Sequence, residues 1–139
     1  SVFAAINKTS LFPTFGDLDG DGDEDMIIGD FDGNLHKFSN TSGPGNPSAF
    51  TLSTPLMVDN MGAIIDVGKH ATPVLIDIDR DGDKDLIIGE QGANLNYYQN
   101  TGTAAAPIYK FITDNFSKTK MVEATERFYA QFLKDEQRA

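Results

Sequence analysis

The chemistry available to this chain is concentrated in ten aspartates. Asp17, Asp19, Asp21, Asp23 and Asp25 stand on alternate residues of DLDGDGDED, and Asp77, Asp79, Asp81, Asp83 and Asp85 repeat the pattern 60 positions later in DIDRDGDKD. Carboxylates crowded at this density repel one another and hold their protons more tightly unless a cation neutralises them. All the donors are oxygens, with no imidazole or thiolate among them, so the natural partner is a hard divalent ion. Ca2+ takes roughly six to eight oxygen ligands in a flexible shell, whereas Mg2+ demands a tighter octahedron and keeps more of its water. The reading is therefore two Ca2+ ions per chain. Positions one, three and five of each loop would converge on the ion, and Gly22 and Gly82 at position six would permit the sharp turn. Main-chain oxygen at Asp23 and Asp83 would follow, with Asp25 and Asp85 at position nine closing the shell.

Elements on either side must hold such loops open. An EF-hand would need a bidentate Glu at position twelve and flanking helices, but position twelve is Ile28 in one copy and Ile88 in the other. Each loop runs instead into a short apolar stretch ended by glycine, Met26 to Gly29 and Leu86 to Gly89, which reads as a buried strand. The duplication also extends past the loops. Pro13 matches Pro73, Leu35 matches Leu95, Asn40-Thr41 match Asn100-Thr101, and Pro47 matches Pro107. Each unit reads as four strands: Thr14 to Gly16, the run after the loop, Leu35 to Phe38, and Phe50 to Ser53; then Val74 to Ile76, the run after the loop, Leu95 to Gln99, and Tyr109 to Thr113. Asp32-Gly33 signals a two-residue hairpin with positive φ at both central residues, while Gln91-Gly92-Ala93-Asn94 reads as a looser turn. Four antiparallel strands at a period of tens of residues describe a β-propeller blade better than a helical solenoid.

The pattern Pro-x-x-x-Asp-x-Asp-x-Asp-Gly-Asp-x-Asp-apolar-Ile-Gly, followed by an aromatic strand ending Asn-Thr, resembles the FG-GAP/VCBS repeats. These are the calcium-loop blades of integrin α-subunit propellers and of many secreted bacterial surface proteins. The segment Tyr97 to Gly102 is more similar to the bacterial members. The resemblance covers about residues 10 to 116. It implies two Ca2+ ions ringed by the ten aspartates, Asp23 and Asp83 through main-chain oxygen. Arg80, at position four of the second loop, departs from the usual small residue and is expected to point outward.

The rest of the chain narrows the function classes. The loops hold eleven of the 21 acidic residues and two of the 11 basic ones, so ten acids face nine bases elsewhere and the net charge of -10 belongs essentially to the loops. Two Ca2+ ions would bring it to about -6. No basic surface remains to track a nucleic-acid backbone, and no apolar run approaches the roughly 20 residues of a membrane span. The absence of cysteine removes disulfide and thiol chemistry. Loops of modest affinity suit millimolar extracellular Ca2+, so the expected location is secreted or at the cell surface. Sequons at Asn7, Asn40 and Asn115 matter only in a eukaryotic secretory setting. A propeller needs about four to eight blades; the chain, opening at Ser1, is expected to be a processed product or piece of a larger propeller, or to complete one by self-association.

Other candidates are bland. His36 and His70 have no second histidine at ligand spacing and read as structural or surface residues. Phe38, Tyr97 and Tyr98 read as core, although tyrosines exposed at a blade edge could stack on sugars. Asp30, Asp32 and Glu90 read as solvated turn residues. Beyond Phe116, Met121, Val122, Thr125, Phe128, Tyr129, Phe132 and Leu133 recur at three- and four-residue steps, the pattern of an amphipathic helix that packs on the blades or docks a partner. The motif Val74 to Asp79 also resembles the Asp-x-Asp of haloacid-dehalogenase-type Mg2+ phosphatases, but that chemistry needs a helix-rich α/β fold and a downstream Lys and acidic pair.

The expectation is thus an all-β protein of two tandem four-stranded antiparallel propeller blades, residues 1–71 and 72–116, with a C-terminal amphipathic helix over 117–139. It would be non-enzymatic, a calcium-binding adhesion or scaffold element meeting a protein or glycan ligand at the cell surface. A lectin-like carbohydrate-binding propeller is the alternative.

Overall fold

The computed structural model describes residues 1–113 and the single positions Glu126, Ala130 and Lys134, all three exposed. Apart from those positions, the helix expected over 117–139 lies outside the described residues. Eight strands form: β1 Phe12–Gly16, β2 Asp25–Gly29, β3 Leu35–Asn40, β4 Phe50–Thr54, β5 Thr72–Ile76, β6 Asp85–Gly89, β7 Leu95–Asn100 and β8 Tyr109–Phe111. They make two four-stranded antiparallel sheets, each in simple sequence order. A 3-10 turn at Val2–Ala5, capped by the Ser1 hydroxyl, precedes them. Registers repeat with the sequence: Gly16 pairs Asp25 and Ile28 pairs His36 in the first sheet, Ile76 pairs Asp85 and Ile88 pairs Asn96 in the second.

Strand alternation sends successive side chains to opposite faces, and apolar residues on both faces explain why β2 is buried throughout. Ile27 and Leu35 face the second sheet. There they join Leu86, Ile88, Tyr98 and Tyr109, with Met57, Ile65 and Ala71 from the connector and Leu18 from the first acidic loop. The opposite face of the first sheet carries Met26, Ile28 and Phe38, covered by Ile6 and Leu11 of the N-terminal segment, and Phe3 meets the Phe38 ring edge-on at 6.2 Å.

Two expectations about the turns are corrected. β2 and β3 are joined by five residues, 30–34, rather than by a two-residue hairpin, and the supposedly looser turn 90–94 has the same hydrogen bonds. Asp30 N–H donates to the Asn34 carbonyl and Gly33 N–H to the Asp30 carbonyl; Glu90, Asn94 and Ala93 repeat both bonds. The first residue of each turn also accepts the Asn34 or Asn94 N–H on its carboxylate, at 3.0 and 2.9 Å. An acidic side chain that caps the turn from its first position sets its length. Asp30 is accordingly no solvated turn residue. It is fully buried, and its other oxygen lies 2.8 Å from His36 Nε2. Asp32 remains at the surface, paired with Lys8 Nζ at 2.6 Å.

The connector packs against this turn. Val67 N–H donates to the Gly33 carbonyl, and a Cβ at Gly33, whose φ is 96°, would overlap the backbone of Gly68. Ala93 occupies the matching place with φ 64°, so the turn itself tolerates a Cβ. Gly33→Ala is therefore expected to cost about 2 kcal/mol or more, from displacement of the connector as well as backbone strain. Ala93→Gly should stay within about 1 kcal/mol, since relief of strain and added chain entropy oppose each other. Urea unfolding midpoints of the two variants check this; a Gly33→Ala loss of only about 1 kcal/mol would place the cost in the turn's backbone strain alone.

Candidate metal centre

Each acidic loop joins the first two strands of its sheet, so the paired residues Gly16 and Asp25, or Ile76 and Asp85, clamp its ends together. Within that clamp the aspartates build a chain of short turns, each carboxylate accepting an N–H further on. Asp19 Oδ1 accepts from Asp21 N–H and Asp21 Oδ1 from Asp23 N–H, at 3.3 and 3.0 Å; Asp79 and Asp81 do the same for Asp81 and Asp83, at 3.3 and 3.1 Å. Asp17 and Asp77 reach across the turn to Gly22 N–H and Gly82 N–H, at 3.0 and 3.1 Å. Both glycines have left-handed backbone, φ 92° and 97°, as position six requires.

This curl draws carboxylate oxygens of Asp17, Asp19 and Asp21 within 4.8 Å of one another, and likewise those of Asp77, Asp79 and Asp85. Asp25 and Asp85 also hold the loops shut. Asp25 accepts Leu18 N–H at 3.1 Å and, from β3, Asn40 N–H at 2.9 Å. Asp85 accepts Ile78 N–H at 3.1 Å, Asn100 N–H at 2.8 Å and the Tyr97 hydroxyl at 3.2 Å. Both are completely buried. Asp23 is fixed by Gly43 N–H at 2.8 Å, and Asp79 by Gln99 Nε2 at 2.8 Å. Arg80 is exposed with φ 63°.

Oxygens without hydrogen-bond partners remain in this ring: Asp23 Oδ1, Asp77 Oδ1 and Asp83 Oδ1 are buried and unpartnered. A buried acceptor left bare costs free energy that a cation would recover. The electrostatics agree. Loss of water and the neighbouring Asp81 charge push the Asp83 carboxyl up to about 6. Asp19 is raised by loss of water and by Asp25, Asp23 by loss of water against an opposing bond from Gly43, and Asp85 chiefly by burial. The donor set is all oxygen and acidic, so the residues fit a hard divalent ion.

A pH dependence follows. A carboxyl raised in the fold but ordinary, near 3.9, in the unfolded chain binds more protons when folded, so metal-stripped protein loses stability as pH rises from about 4 to about 6. Asp32 and Glu90 are held low, by Lys8 and by the Gly92 and Asn94 N–H groups respectively; their gain is complete by about pH 5. Between pH 5 and 6 the Asp83 effect therefore acts with the least opposition. The urea midpoint of metal-stripped protein is expected to be higher at pH 5 than at pH 7, and an excess of Ca2+ should invert that order because ligand carboxylates must be ionised.

Several supporting residues carry no chemical signature in sequence. Asn40 and Asn100 stand out only as matched repeat positions. Their side chains close the following loops, Asn40 Oδ1 accepting Ala49 N–H at 2.9 Å and Asn100 Oδ1 accepting Ile108 N–H at 3.0 Å. Tyr97 and Tyr98 are buried, 8% and 7% exposed, which removes them as sugar-stacking surfaces. A family model described as FG-GAP-like repeat matches residues 17–88, which is 72 of the 139 residues and spans both loops. No curated protein and no solved structure matches the chain significantly.

Proposed function

The chain belongs to the FG-GAP-like repeat family, and from that premise we propose that it is a calcium-stabilised pair of β-propeller blades serving as an extracellular or cell-surface binding, adhesion or scaffold element. The observation that carries the metal is that each of two loops brings three carboxylates together, at positions one, three and five in the first and one, three and nine in the second, with a buried unpartnered oxygen on Asp77. Ca2+ would be held by Asp17, Asp19, Asp21 and Asp25 and by Asp77, Asp79, Asp81 and Asp85, with main-chain oxygen from Asp23 and Asp83. Its role is structural: it cancels the repulsion among the aspartates and locks the connection between the first two strands of each blade. The family is generally non-enzymatic, and we assign no reaction. The phosphatase alternative needs an α/β sheet, and the described strands pair only antiparallel.

Calorimetric titration of metal-stripped protein with Ca2+ tests the reading. About two ions per chain are expected, with Mg2+ much weaker. A stoichiometry near zero, or preference for Zn2+, would sink it. The partner would be a protein or glycan at the cell surface; the lectin reading, which rests on aromatic residues between blades, loses Tyr97 and Tyr98 as stacking surfaces, and a glycan array tests it.

A further inference from the structure

The two sheets are copies, yet the face of the first sheet that receives the second has been changed where the second sheet repeats it. The seat on the first sheet depends on small residues and one hydroxyl. A Cβ at Gly16 would lie 3.1 Å from Leu75 Cδ1, and one at Gly20 would lie 2.8 Å from Ala105 Cβ. Thr14 Oγ1 accepts Leu75 N–H across the sheets at 3.2 Å. At an offset of 60 these three positions become Ile76, Arg80 and Val74. Two gain bulk where the second unit approached closely, and the third loses the acceptor. A third copy could not sit on the second sheet as the second sits on the first.

That outer face is nonetheless apolar and partly covered. Ile87 and Tyr97 on it are 7% and 8% exposed, while Val74 and Leu95 towards its edges are 51% and 53% exposed. The chain leaves the described region beside it, for Ile112 N–H donates to the Tyr97 carbonyl, and 26 residues, 114–139, follow. Their sequence places Met121, Phe128 and Phe132 on one side of the expected helix, and the exposed positions Glu126, Ala130 and Lys134, four residues apart, on the other. At the opposite end of the molecule a non-repeat segment already does the same job, Ile6 and Leu11 covering the first sheet. We infer that residues 114–139 fold back over the outer face of β5–β8, with Phe128 and Phe132 against Ile87 and Tyr97, and occupy the place of a third blade.

The full chain tests this without truncation, because the absence of native cysteine leaves a single introduced thiol unambiguous. A nitroxide on Leu95→Cys is expected to broaden the amide signals of residues 121–133 at every protein concentration. The same label on Val2→Cys, 37% exposed in the N-terminal segment at the opposite end of the molecule, should leave them sharp. Absence of broadening from position 95 overturns the proposal. Broadening in a mixture of isotope-labelled native chain and spin-labelled unlabelled chain overturns it too, since the occupant would then be a second copy. With Phe128→Ser and Phe132→Ser added the broadening should disappear, and its persistence would overturn the apolar docking. None of these readouts depends on calcium, so failure here is separable from failure of the metal assignment.

Discussion

Stripping calcium from the protein is expected to lower its melting temperature by on the order of 15 °C. A ligand that binds only the folded state adds RT ln(1 + [L]/Kd), about 2.7 kcal/mol per site at a hundredfold excess, so two independent sites contribute about 5 kcal/mol. At this chain length each kcal/mol corresponds to roughly 3 °C. Asp21→Ala and Asp81→Ala separate the metal from the loop's own hydrogen bonds. Each removes one acceptor for an N–H two residues on, at 3.0 or 3.1 Å, a loss of about 1 kcal/mol in metal-free protein, offset in part by reduced repulsion. In excess Ca2+ the same substitutions should cost a further 2 kcal/mol or so, because a site is lost. Identical melting curves with and without chelator would show the loops to be empty or irrelevant to stability.

The spacing of the aspartates was open to reading because the acidic loop is local: its five aspartates lie within nine consecutive residues, and alternation with glycine at position six is visible without any knowledge of the fold. The strands were open to reading for the same reason, as β-branched runs between turn residues. What stayed hidden depends on chain segments that arrive from elsewhere. Asp25 and Asp85 are tied by N–H groups from β3 and β7, fifteen residues away, so their second role as anchors could not be seen in the loops. Asp30 looked like a surface turn residue because acids after a strand usually are; only the approach of His36 across the hairpin and of the Pro55 carbonyl behind it makes a buried carboxylate tenable. One signal was available. Asp30 and Glu90 align at the offset of 60, as do Asn34 and Asn94, and an acid and an amide four residues apart in both copies mark a capped turn rather than an arbitrary one.

That buried pair yields an asymmetric expectation. Asp30 and His36 are 0% and 3% exposed, and the His36 ring is held at both nitrogens, Nδ1 against the Pro55 carbonyl and Nε2 against Asp30 Oδ2. A carbonyl only accepts, so Nδ1 must carry a proton, and a further proton lies between Nε2 and the carboxylate. His36→Ala removes the partner and strands the carboxylate in the core beside a cavity. Loss of one member of a buried pair costs about 3–5 kcal/mol, enough to threaten a fold of ordinary stability. Asp30→Asn keeps every bond by a change of roles: its Oδ1 still accepts the Asn34 N–H, and its amide donates to a neutral His36 Nε2 while Nδ1–H continues to serve Pro55. Its cost should be about 1 kcal/mol. The second repeat shows that a charge pair is not required by the hairpin, since Asn96 stands where His36 does and Glu90 is capped by backbone and Asn94. Urea unfolding of both variants in excess Ca2+ decides the matter: comparable losses, or a larger loss for Asp30→Asn, would mean that the pair is held by its charge and not by its hydrogen bonds.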